Sequence, residues 1–263
     1  MSMGQTRYPA VAGTFYPADP DELRSMIEGF LKEAEQTGPV PKALIVPHAG
    51  YVYSGPVAAS AYARLIPARN SIRRVVLLGP AHRVGIAGLA VSVSDAFATP
   101  LGDVPVDTAS IERLLGLPQV HHIEQAHRLE HSLEVHLPFL QVVLDRFTLV
   151  PLVVGDAAPQ EVGEAIELLW GGPETLVVIS SDLSHYHDYD AAKELDRATT
   201  WAIESLRFED IGYEDACGRN PVSGLLLAAR RRNLPVRNID LRNSGDTAGP
   251  RDQVVGYGAY VID

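Results

Sequence analysis

Residues 74–82 read Arg74-Val75-Val76-Leu77-Leu78-Gly79-Pro80-Ala81-His82. The apolar run has no polar alternation, and it stops at a glycine and a proline. A strand with one wet face alternates; an uninterrupted run is buried on both faces, inside a sheet covered by helices on each side. The same grammar recurs outward from this stretch. Ala43-Leu44-Ile45-Val46 runs into Pro47-His48-Ala49-Gly50-Tyr51, and Leu176-Val177-Val178-Ile179 runs into Ser180-Ser181-Asp182-Leu183-Ser184-His185. A later run, 236–241, leads into Asn243-Ser244-Gly245-Asp246. The expected fold is α/β, a central and mostly parallel sheet flanked by helices.

Hydrophobic spacing fills in the remaining elements. Strands are expected over 43–46, 74–78, 89–93, 148–154, 176–179, 236–241 and 254–261. Helices are expected over 21–36, 54–65, 107–115, 132–144, 159–170, 191–206 and 221–232. Asp107 or Thr108 is the N-cap of the third helix. Neither an internal repeat nor a long Pro/Ser/Gly linker divides the chain, so residues 1–263 are expected to form a single domain.

Composition narrows the function. Apolar residues make up 46% and charged residues 21% of the 263, a globular balance. The net charge of −11, from 33 acidic and 22 basic side chains, argues against nucleic acid and against an anionic membrane surface. No apolar run approaches a membrane span, and residues 1–13 lack the charged-then-apolar pattern of a secretory signal. Cys217 is the one cysteine, which precludes an internal disulfide and suits a reducing cytoplasm. Neither GxGxxG nor GxxxxGK[ST] occurs, which argues against a nucleotide cofactor. Nine histidines are more than usual, and they point toward a site.

In open α/β sheets ligands bind beyond the carboxyl ends of strands. His48 and His82 each follow a buried strand, beside Gly or Pro, and neutral imidazole is the commonest metal ligand. The plain alternative is that each caps a loop. Asp246 is the expected third ligand, because Gly245 permits close approach; otherwise it is an Asx-turn residue. Two histidines and a carboxylate suit non-heme Fe(II), and the same set can hold Zn²⁺ as a Lewis acid. His185 and Asp182 form a candidate acid–base pair if a helical turn begins there, and otherwise Asp182 caps a helix. The run Glu130-His131-Ser132-Leu133-Glu134-Val135-His136 is not a zincin motif, since its order is HxxExH. Glu130 and His131 can face the cleft, whereas His136 belongs to the apolar stripe. Cys217 precedes a helix and Arg219, which would lower its pKa, but a buried inert thiol is the simpler state.

Taken in order, Arg7-Tyr8-Pro9-Ala10-Val11-Ala12-Gly13-Thr14-Phe15-Tyr16-Pro17, the His48 and His82 segments, 130–138, 180–185 and Cys217-Gly218-Arg219-Asn220-Pro221 resemble the Memo-like family, known in prokaryotes as AmmeMemoRadiSam system protein B. The resemblance implies a fold similar to class III extradiol (LigB-type) non-heme iron dioxygenases. It implies metal ligation by His48 and His82, with His185 at the acid–base position and Asp182, Glu130 and His131 lining the pocket. In animal relatives the third metal-site residue is a cysteine near the C-terminus; here Asp246 or Thr247 falls at that point. The expected function is a metal-binding redox enzyme with Fe(II), or else Zn or Cu. The alternatives are an adaptor whose pocket takes a peptide or small ligand, and a metal-dependent hydrolase. The resemblance also implies a functional link to a radical-SAM protein.

Overall fold

The computed structural model describes residues 5–35 and 37–263. In chain order the elements are β1 (Thr6–Arg7), α1 (Pro20–Glu33), β2 (Ala43–Val46), α2 (Tyr51–Tyr62), β3 (Arg74–Pro80), β4 (Leu89–Val91), β5 (Ala96–Thr99) and β6 (Gly102–Pro105). Then come α3 (Thr108–Leu114), β7 (Val120–His122), α4 (Glu124–Arg128), α5 (Leu137–Val143), β8 (Thr148–Val154), α6 (Pro159–Leu168) and β9 (Thr175–Ser180). The last are β10 (His185–His187), α7 (Tyr189–Glu204), α8 (Arg219–Arg232), β11 (Val236–Asn243) and β12 (Val254–Ile262).

The centre of the molecule is a parallel block in the order β2-β9-β3-β8. Its strands are the uninterrupted apolar runs, and nearly all their residues are buried. The sheet continues with antiparallel neighbours, β12 beside β2 and β4 beside β8, and reaches nine strands. The β2–α2–β3 crossover passes over β9 in one direction, and the β8–α6–β9 crossover passes back over β3. With one hand for both, the two helices fall on opposite faces. Accordingly α2 packs with α1 and α5, while α6 packs on α8, which lies against β3 and β9. Register keeps the block level: Val46 pairs with Ser180, and Leu78 with Ile179. The exits of β2, β3 and β9 therefore meet at one edge.

Several expectations need correction. The helix expected over 132–144 is a 3-10 turn, Glu134–His136, followed by the short α5. Pro138 lacks an N–H, so it fits the first turn of a helix but not an interior. The expected strand 89–93 ends at Val91. The helix expected over 21–36 ends at Glu33, and Gln36 lies outside the described residues, as do residues 1–4. Asp107 is the N-cap of α3, its side chain accepting from Ser110 N. A small sheet of β1, β5 and β6 was not expected.

Candidate metal centre

Val46 leads through Pro47 into His48, which is buried at the carboxyl end of β2. Its Nδ1 lies 2.6 Å from Ser180 Oγ, and that hydroxyl donates its own hydrogen to Ser132 O at 2.6 Å. A carbonyl can only accept, so Ser180 Oγ acts as acceptor toward the ring. His48 therefore carries its hydrogen on Nδ1 and presents the Nε2 lone pair outward. Burial, with His82 as the next cause, drives its pKa well below the usual imidazole value, so the ring is neutral.

His82 follows β3 and is held by Glu130. That carboxylate accepts from the His82 backbone N–H at 2.6 Å and from Nδ1 at 2.9 Å, and also from the N–H groups of His131 and Ser132. Burial pushes the Glu130 carboxyl up, but these donors, led by the His82 ring, outweigh it and bring the pKa down to about 2. An ionised acceptor fixes the hydrogen on His82 Nδ1 and leaves Nε2 for a ligand. Gly79 allows the third histidine's loop to close: a Cβ there would stand 2.8 Å from Ser132 Oγ and 2.9 Å from Leu133 Cδ2.

His131 completes the group. Potential ligand atoms of His48, His82 and His131 all lie within 4.8 Å of one another. The rings of His82 and His131 stack at 4.6 Å, and Phe15 packs on His131 at 4.9 Å. Burial first, then His82, lowers the His131 pKa to about 4, and its buried Nδ1 has no hydrogen-bond partner. Three imidazoles that bring one ligand atom each within 4.8 Å of one another can hold a metal ion.

They face a cavity of about 640 Å³ that Asp182, His185, Tyr186, Tyr213 and Cys217 also line. Asp182 Oδ1 accepts from His48 N at 2.7 Å, and burial raises its pKa to about 7. The expected helical turn from Asp182 to His185 is not formed. Instead the chain enters β10, where pairing with β12 slips between His185 and His187 and Tyr186 takes φ 62°. That bulge lets His185 and Tyr186 line the same cavity rather than point to opposite faces. Burial lowers the His185 pKa, which keeps the ring neutral. Cys217 Sγ stands 3.4 Å from His48 Nε2, and burial, then Asp182, raises its pKa, opposite to the lowering that Arg219 and the helix start would give and in line with a buried thiol.

Asp246, the expected third ligand, is not in this group. β11 runs in the same direction as β2, but β12 lies between them, so its exit is about 10 Å to the side at normal strand spacing. The Asp246 carboxylate accepts from Tyr189 Oη at 2.5 Å and from Asn243 N at 3.1 Å, closing its own turn.

The family model of the Memo-like protein matches residues 7–261. The chain belongs to the Memo-like family. A MEMO1 family protein of Aquifex aeolicus is 37% identical over 269 residues, covering 96% of this chain and 97% of its own. One from Ignicoccus hospitalis is 39% identical, with 96% and 97% covered. Among solved structures, an uncharacterized protein from Escherichia coli K12 superposes with a TM-score of 0.56 at 15% identity, over 83% of this chain and 98% of that one. That likeness concerns the fold alone.

The Memo-like chain contains a support that spacing does not reveal. Glu134, fully buried, accepts from Ala10 N at 2.7 Å, Val11 N at 3.0 Å and Tyr16 Oη at 2.6 Å, and pairs with Arg7. Arg7 also donates to the carbonyls of His127 and Glu130. The N-terminal segment is thereby bound to the loop that carries Glu130 and His131. Only the buried position of a charged residue inside an apolar stripe could have signalled it. His136 is the expected core residue, with Nδ1 2.8 Å from Tyr62 Oη.

Proposed function

We propose that the chain is a metal-dependent redox enzyme that uses His48, His82 and His131 to hold a non-heme Fe(II) ion. The observation that carries this reading is the convergence of three ligand atoms within 4.8 Å at the wall of an open cavity. The tautomers support it, since Ser180 and Glu130 each occupy the Nδ1 side of a ring and leave Nε2 lone pairs for the ion. A bound ion would supply Lewis acidity and, as iron, electron transfer. The choice of iron draws on the resemblance to extradiol dioxygenases. A reducing cytoplasm suits both Fe(II) and the free Cys217 thiol.

The chain's own groups handle the protons. Asp182, with a pKa of about 7, gives up or takes a proton near neutrality. His185, neutral and across the same cavity, accepts one. Phe15 packs on the His131 ring at 4.9 Å and lines the same cavity.

The donor set favours one second reading. Three imidazoles with an open position are also a catalytic Zn²⁺ set, and the chain would then be a hydrolase with His185 as base. Anaerobic Fe(II) titration, metal analysis of protein purified without chelator, and oxygen-consumption assays separate the two. Zinc as the resident ion, with no oxygen uptake, would replace the iron reading. Unchanged metal affinity in His48→Ala and His82→Ala proteins would defeat both.

A further inference from the structure

The segment Cys217-Gly218-Arg219-Asn220-Pro221 touches the histidine group only through its cysteine. Beyond Cys217 it lines a second cavity of about 390 Å³, above the ends of β3 and β8 and beside Pro80, Ala81, Gly155 and Asn220. Tyr213 and Cys217 border both this space and the 640 Å³ histidine cavity. The two therefore adjoin along the carboxyl edge of the sheet, where ligands of α/β proteins bind. Gly218 makes the arrangement possible. A Cβ there would stand 2.5 Å from Ser180 O and 2.5 Å from Ser181 Cβ, so only glycine lets the start of α8 sit this close to the end of β9.

Arg219 is the cation of the second cavity. Its Nε donates to Ile211 O at 2.7 Å, and its guanidinium lies 4.2 Å from the Tyr213 ring centroid. These contacts fix the plane of the fork, and the Nη hydrogens have no partner among the described residues. Other half-buried arginines are matched to acids, Arg74 to Asp107 and Arg242 to Asp240. Arg219 has no such partner among the described residues, in a chain where acids outnumber bases by 33 to 22. A tethered, ring-stacked guanidinium with a free edge is built for bidentate binding of a carboxylate or similar oxyanion. Asp156 borders the same space and is exposed, which disfavours a polyanion and suits one singly charged group.

We propose that the second cavity is a substrate subsite in which Arg219 anchors the terminal carboxylate of an elongated substrate whose other end faces His48, His82 and His131. The placement of the reacting end rests on the metal-centre reading above; the Arg219 anchor does not.

The test is calorimetric titration of the full chain with linear dicarboxylates from succinate to suberate as probes, with butyrate as the short control. Parent, R219M, R219K and D156N proteins are compared, each checked for an unchanged melting temperature. The longer diacids are expected to bind the parent, and to bind R219M at least about tenfold more weakly, the loss of one charge-assisted bidentate contact. R219K should recover part of this, since it keeps the charge without the fork. D156N should bind more tightly. Equal affinity of parent and R219M overturns the proposal, and so does failure of every diacid to bind the parent. Metal titration keeps the two readings apart. R219M is expected to hold metal like the parent, and loss of the metal-centre reading would leave the R219M result standing.

Discussion

Glu130 holds His82 twice, accepting from its backbone N–H at 2.6 Å and from its ring Nδ1 at 2.9 Å. Ser180 stands behind His48 in the same way, at 2.6 Å from Nδ1. In each case the group behind the ring decides which nitrogen faces the cavity. Glu130 was expected to act in the cleft itself. All four of its hydrogen bonds are instead spent on orienting His82 and the 131–132 backbone.

Glu130→Gln removes the charge and keeps the shape. Metal affinity should fall by about 10- to 100-fold, the usual effect of losing such a support. Competition with a chromophoric chelator reads this directly. Parent-like affinity in the variant would show that the carboxylate does not tune the site.

Glu134→Gln should destabilise the fold by about 3–5 kcal/mol, because it leaves the buried Arg7 guanidinium uncompensated. Chemical denaturation measures it. A loss below about 1 kcal/mol would mean that the pair contributes little beyond its hydrogen bonds.

Gly218→Ala places a methyl against a carbonyl of β9 that cannot retreat from the sheet. A loss of about 1–3 kcal/mol is expected from the overpacking. The start of α8 should also shift, moving Cys217 away from His48. Thermal melts and the reaction rate of Cys217 with a thiol reagent check the two effects.

The metal-free chain should lose stability on acidification. Burial holds His48 well below the ordinary imidazole value, and His127, His131 and His136 at about 4, 4 and 3. Unfolding restores about 6.5, so between pH 6.5 and 4.5 the unfolded chain binds up to four more protons at these sites. Asp182 and Asp196, raised to about 7 and about 6, act in the opposite sense, but they are only two groups. The melting temperature should therefore fall as pH drops through this window, and a level or rising profile would contradict the neutral, buried histidines.

The legible part of this fold was its centre. The runs at β2, β3, β8 and β9 are continuous because both faces are covered, and continuity can be read locally. The hairpin of β5 and β6 was missed because Gly102-Asp103-Val104-Pro105 has no strand pattern and pairs only through its neighbour. His48 and His82 were legible because each follows such a run. His131 was legible as a residue facing the cleft but not as a ligand, because it reaches the group beside Glu130, which is 48 residues from His82 in sequence. Asp246 had a suitable residue type and a flexible neighbour, but two strand spacings separate its exit from β2. The partners that occupy it, Tyr189 and the backbone of Asn243, are products of the tertiary fold and its own turn.

The central claim is that three imidazoles share one ion. An anomalous-scattering map, collected at a metal absorption edge from crystals of protein purified without chelator, tests it most directly. The expected result is a single peak about 2.0–2.2 Å from ring nitrogens of His48, His82 and His131, with the edge naming the element. A metal peak at Asp246, or a fully loaded protein with no peak among the three rings, would contradict the claim.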